Sequence, residues 1–95
     1  MAAYIVFTRT KTKDQAEMDI YSPLAGKSMA GHKATAHVVY GDFEVLEGPP
    51  VEGLVILSFA TMEEAKAWYN SPAYIVAREH RFKGAEYSAV LVQGL

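Results

Sequence analysis

The chain has no cysteine. Disulfides, thiolate metal sites and a cysteine nucleophile are excluded at once. No apolar run approaches the roughly 18 residues of a membrane-spanning helix. No charged leader precedes an apolar stretch, because Met1-Ala2-Ala3-Tyr4 runs straight into a strand pattern. A cytoplasmic protein without a membrane partner is the expectation. Basic residues are few and scattered: nine Lys and Arg stand against eleven Asp and Glu, a net charge of -2. Arg9, Lys11 and Lys13 are far along the chain from Arg78, Arg81 and Lys83. Nucleic-acid binding leaves a basic footprint, so no nucleic-acid partner is expected. A Gly-x-Ser-x-Gly elbow and a glycine-rich phosphate loop are both missing. His32, His37 and His80 lack the spacing of a metal motif. The expectation is therefore no metal and no cofactor.

What is present is ordinary for a globular chain: 95 residues, 51% apolar, 21% charged. That length suits one domain over residues 1–95. A domain so small is marginal alone and gains from a partner. Ala3 to Thr8 alternates with β-forming residues and predicts a strand. Ala16, Ile20, Leu24 and Ser28 fall four apart and predict a helical face, with a kink or restart at Ser22-Pro23. Ala34 to Tyr40 predicts a second strand, and Phe43 to Leu46 looks extended again. Gly41-Asp42 between them fits either a two-residue hairpin or a bulge in one long strand. Leu54 to Phe59 is the clearest strand and Tyr87 to Val92 the last. Between them, Thr61-Met62-Glu63-Glu64 reads as a capping box. Ser71-Pro72 reads as a second helix start, a hydroxyl cap followed by proline at the first helical position.

The order strand, helix, two strands, helix, strand is the α+β ferredoxin-like βαββαβ pattern. It places a four-stranded antiparallel sheet under two helices on one face. Both strand faces are apolar: Ile5 and Phe7 oppose Tyr4 and Val6, and Leu57 opposes Leu54 and Ile56. Helices cover only one of them. A bare apolar sheet face exceeds what soluble monomers tolerate, so a homodimer packed through its sheet faces is expected.

The run from Val55 to Phe59, then Met62-Glu63-Glu64-Ala65, then Ala67-Trp68-Tyr69-Asn70-Ser71-Pro72-Ala73-Tyr74, resembles the domain of unknown function 1330 family. Arg81, the tail Val90 to Gly94 and the segment Glu44 to Gly48 are similar to it as well. After the first helix the family's paired glycine and arginine are replaced here by Gly31-His32-Lys33-Ala34-Thr35. The resemblance implies the dimeric α+β-barrel fold and a bulged strand at Gly41-Asp42. It implies no settled activity. The wider superfamily includes cofactor-free monooxygenases, lactone isomerases and haem-handling enzymes, and shared fold is a weak warrant for chemistry.

Tyr21, Trp68, Tyr69 and Tyr74 come from helices expected over the same sheet face. Trp68 and Tyr74 read first as core anchors. Tyr21, Tyr74 and Arg81 form the candidate ligand contacts, because an arginine beside tyrosines suits a carboxylate or similar anion. The competing reading pairs Arg81 with Glu79 or Glu86 at the rim. His80 is the candidate catalytic acid–base. Two functions remain open. One is a small-molecule pocket between helices and sheet for an apolar or aromatic ligand, with cofactor-independent oxidation, isomerisation or proton transfer as the chemistry if it is an enzyme. The other is a non-catalytic dimeric binding or interaction module.

Overall fold

The alternation of Tyr4, Ile5, Val6 and Phe7 becomes a central strand. In the computed structural model, which describes residues 1–95, β1 runs Ala3–Thr12, longer than the sequence pattern. Helix α1 follows at Gln15–Ser28, then β2 at Thr35–Val39, β3 at Gly53–Phe59, α2 at Met62–Tyr69, α3 at Pro72–Gly84 and β4 at Ala85–Gln93. The strands form one antiparallel sheet in the order β2-β3-β1-β4. This is the ferredoxin-like arrangement, with the second helical crossover divided in two. Asn70 leaves helical geometry, and the Ser71 side chain then caps α3 by accepting from the Tyr74 N–H at 3.4 Å. Thr61 caps α2 in the same way, accepting from the Glu64 N–H at 3.0 Å. Its loss in Thr61→Ala is expected to cost about 1 kcal/mol. Thermal unfolding measures this as a melting point about 4–8 °C lower for a domain of this size. An unchanged melting point would show that the cap contributes nothing.

The structure corrects three sequence expectations. First, of the kink or restart expected at Ser22-Pro23, the restart does not occur: α1 passes through Pro23 as one helix. The backbone bond that Pro23 cannot donate would have gone to the carbonyl of Asp19, an exposed residue that water reaches. Second, its buried side is Met18, Tyr21, Ala25 and Ser28, while Ile20 is 46% exposed. A strict four-residue repeat advances about 40° per step around a helix of 3.6 residues per turn, so Ala16, Ile20, Leu24 and Ser28 do not share one stripe. Third, Phe43 to Leu46 forms no strand, and Gly41-Asp42 is neither hairpin nor bulge. The irregularity in β2 lies between Ala36 and Val38. Tyr40 then takes a left-handed backbone (φ 54°) and turns the chain off the sheet edge.

The register sorts the side chains. Ile5, Phe7, Leu57 and Phe59 face the helices and pack with Ala65, Trp68, Tyr74 and Ala77 as the core. Tyr4, Val6, Val38, Leu54, Ile56, Val90 and Val92 share the opposite face. Nothing in the chain covers that face, and Val90 and Val92 are about half exposed. The molecule is accordingly a slab, 31 × 31 × 17 Å.

Candidate functional site

A cavity of about 270 Å³ opens between the C-terminal half of α1 and the β2–β3–β1 side of the sheet. Its floor is Phe7, Val55 and Leu57; Tyr21, Ala25 and Met29 form the helix wall, with the buried Trp68 at the inner end. All but two lining residues, Ser22 and Gly26, are apolar or aromatic. Few polar groups in an apolar cleft is the usual composition of a small-molecule site, and the volume suits an occupant of one or two rings.

The aromatic cluster is set by the two helix starts. Ser71 and Pro72 begin α3 at once after α2, which brings Tyr74 back against Trp68 with ring centroids 4.1 Å apart. Trp68 Nε1–H donates to Ser28 Oγ at 3.0 Å, and Ser28 in turn donates to the Ala25 carbonyl at 2.6 Å. Between α1 and α3, Tyr21 and Tyr74 share a hydroxyl–hydroxyl hydrogen bond of 2.8 Å. Burial pushes both phenols up, while the positive charge of Arg81 pulls the other way. Both are therefore neutral phenols near pH 7, able to donate hydrogen bonds but not to act as tyrosinate bases.

Arg81 is 4% exposed. Its guanidinium lies 5.4 Å from the Phe7 ring centroid, 4.9 Å from Phe82 and 5.1 Å from Tyr87. Its Nε has no hydrogen-bond partner. Neither Glu79 nor Glu86 pairs with it; the carboxylates within reach of a basic side chain are Glu52, on Arg9, and Glu17, hydrogen-bonded to His80. Burying an unpaired cation is unfavourable. Aromatic faces return about 0.5–2 kcal/mol each, which leaves room for an anion.

The candidate residues separate by position. Tyr21 lines the cavity, whereas Tyr74 and Arg81 stand behind that wall. His80 lies apart: its Nδ1 sits 2.6 Å from Glu17 Oε2, in a part-buried pair between α3 and α1. His37 is on the open sheet face, with Nε2 2.6 Å from Ser58 Oγ. No three His, Asp or Glu side chains converge as a metal site would need.

Sequence reading missed the mouth of the cavity. Tyr40 and Tyr87 both line it and join through their hydroxyls. Burial, and then the bond from Tyr40, push the Tyr87 phenol up. The Tyr40 ring is stacked by the Arg9 guanidinium at 4.7 Å and lies against Gly53, where an added Cβ would come within 2.6 Å of it. Gly53 is thus the residue that lets Tyr40 fold over the sheet. The signal available was Tyr87 within an alternating strand, but its opposition to Arg9 depends on a register that only pairing fixes.

The model of the family described as "Domain of unknown function (DUF1330)" matches residues 2–95. No curated protein matches the sequence. Among solved structures, a protein of unknown function from Rhodopseudomonas palustris is similar at TM-score 0.78 and 16% identity, over 99% of this chain and 82% of its own. A dimeric protein of unknown function with a ferredoxin-like fold from Bacteroides fragilis is similar at TM-score 0.66 and 10% identity, over 98% of this chain and 96% of its own. SnoaB, a cofactor-independent oxygenase from Streptomyces nogalater, is similar at TM-score 0.62 and 8% identity, over 99% of this chain and 93% of its own. At these identities the likeness shows a common fold.

Proposed function

The chain belongs to the DUF1330 family, which supplies a fold and no reaction, and from that premise we propose that it binds a small apolar or aromatic anion in the cavity beneath α1. The observation that carries this reading is Arg81, buried beside the cavity wall with no carboxylate partner. Tyr21 gives the cavity a polar contact, and Tyr74 and Arg81 support it from behind. His80 is engaged with Glu17 away from the cavity, so acid–base work by its ring is no part of the proposal. If the bound molecule reacts, neutral tyrosines favour chemistry in which the ligand carries its own charge and the protein stabilises it. Cofactor-independent oxidation or isomerisation of an acidic substrate fits that description.

The protein works as a homodimer in this proposal, with the open sheet faces packed together. Support comes from the apolar residues on that face and from the dimeric state named for the Bacteroides fragilis relative. A non-catalytic dimeric module is the second reading, and it rests on the same face without using the cavity.

Native mass spectrometry for retained ligands, followed by thermal-shift screening, tests the ligand reading. Saturation at a hundredfold excess over Kd adds about 2.7 kcal/mol. Benzoate-like anions are expected to raise the melting point, neutral isosteres to do so less, and Arg81→Gln to remove the difference. Equal shifts from charged and neutral compounds would count against the anion, and no shift from any would favour the non-catalytic module.

A further inference from the structure

Outside the two phenol pairs, the side-chain polar protons lining the cavity have acceptors in the protein. Ser22 Oγ donates to the Met18 carbonyl at 3.3 Å, and Trp68 Nε1–H donates to Ser28. Tyr74 is wholly buried, and its hydroxyl meets two polar side chains, the Tyr21 hydroxyl and the Arg81 guanidinium, of which only Tyr21 can accept a proton. A buried hydroxyl proton without an acceptor is strongly disfavoured, so the Tyr74 proton points to Tyr21. The Arg81 charge acts on Tyr74 and favours the same orientation, oxygen toward the cation and proton away. The Tyr21 proton then has no acceptor within the protein, and Tyr21 is the member of the pair that lines the cavity. In the second phenol pair, Tyr40 is 39% exposed, so the free proton there has solvent to reach.

We infer that the Tyr21 hydroxyl is a one-proton recognition point, and that the ligand is a flat apolar molecule whose acidic hydroxyl, a phenol or enol, binds as its oxyanion. The inference rests on the ligand-binding reading above and narrows it. One directed donor in an otherwise apolar cleft suits a single anionic oxygen. A carboxylate would bring a second oxygen that the Tyr21 proton cannot also serve. The donor is also reinforced, because each bond in the line from Tyr74 to Tyr21 polarises the next and Arg81 stands behind both. The groups acting on Tyr21 are Tyr74 and Arg81 from α3 and Tyr87 from β4; Glu17, one turn earlier on α1, is held by His80. No carboxylate therefore faces the bound oxygen. On binding, the ligand's O–H bond breaks heterolytically, its proton passes to the buffer and its electron pair stays on the oxygen that accepts from Tyr21.

Two probes test this with the full chain. 4-Nitrophenol reports its ionisation by visible absorbance, and 4-nitroanisole has no proton to lose. The ionisation midpoint of bound 4-nitrophenol is expected at least about one pH unit below that of the free probe, a tenfold preference for the phenolate. Tyr74→Phe keeps the ring against Trp68 and removes the line of hydroxyls; Tyr21→Phe removes the donor itself. Each is expected to return the midpoint toward the free value, while 4-nitroanisole affinity reports whether the cavity is intact. If Tyr74→Phe does not fold, Tyr21→Phe decides alone. A midpoint unchanged or raised in the wild type overturns the inference and leaves ligand binding standing. A lowered midpoint that survives Tyr21→Phe overturns the assignment to Tyr21. Failure of both probes to bind the wild type overturns the ligand reading itself, and this inference with it.

Discussion

Trp68→Ala is expected to remove about 3–5 kcal/mol of stability. Trp68 is 1% exposed and touches every layer of the core. It lies against Phe59 at 5.6 Å, meets the edge of Phe7 at 6.3 Å and packs on Tyr74 at 4.1 Å. Its indole N–H is also the donor that satisfies buried Ser28. Truncation opens a void and removes that hydrogen bond, although Ser28 keeps its own bond to the Ala25 carbonyl. Small domains hold only about 5–15 kcal/mol in total. Urea unfolding should therefore show the midpoint collapse toward zero denaturant, or a chain already unfolded. A loss below about 1 kcal/mol would mean that the helices stay on the sheet without their anchor.

Ile56→Lys is expected to convert the proposed dimer to a monomer while each chain stays folded. Ile56 is on β3, opposite Val6 on β1 and Val38 on β2, at the middle of the open face. In a two-fold dimer the substitution enters twice. Each lysine would lose water without a counter-ion, and a buried unpaired charge costs about 3–5 kcal/mol. The single chain has no such penalty, because that face is then wet. Light scattering at micromolar concentration should show the wild type at the mass of two 10.4 kDa chains and the variant at one. A monomeric wild type would refute the dimer, and a dimeric variant would move the interface elsewhere.

How much of this was legible in the sequence depended on the range of the interaction. The caps at Thr61 and Ser71 were readable because each bond closes within three residues. The two apolar sheet faces were readable because alternation in β1 and β3 is local. The stripe of α1 was misread through equal spacing, since Ile20 and Leu24 look alike until the helix meets its neighbours. Phe43 to Leu46 has the composition of a strand, but a strand needs a paired edge. Tyr40, with its left-handed backbone, turns the chain at the end of β2, and Val45 and Leu46 are left unpaired and exposed. At the site, Tyr21 and Tyr74 could be placed over one sheet face, but not which of them would front the cavity. That depends on where α1 leaves space, and no periodicity records it. Tyr40 and Tyr87 were invisible for a similar reason, being joined by strand register and the bare backbone of Gly53 rather than by any motif.

The strand order bears on how the chain is made. β1 pairs with β3 and β4, and β2 pairs only with β3. The segment 1–52 therefore holds two strands and no strand pair. At about 5–20 residues per second, β1 waits roughly 2–9 s for residues 53–95. Through that interval Ile5, Val6 and Phe7 have only α1 to shelter them. A nascent chain of this topology exposes its stickiest strand first and buries it last, and non-local pairing of that kind is slow and prone to aggregation. Arrest-peptide force profiles, or limited proteolysis of stalled ribosome complexes, should find no stable structure until the whole of β3 has emerged.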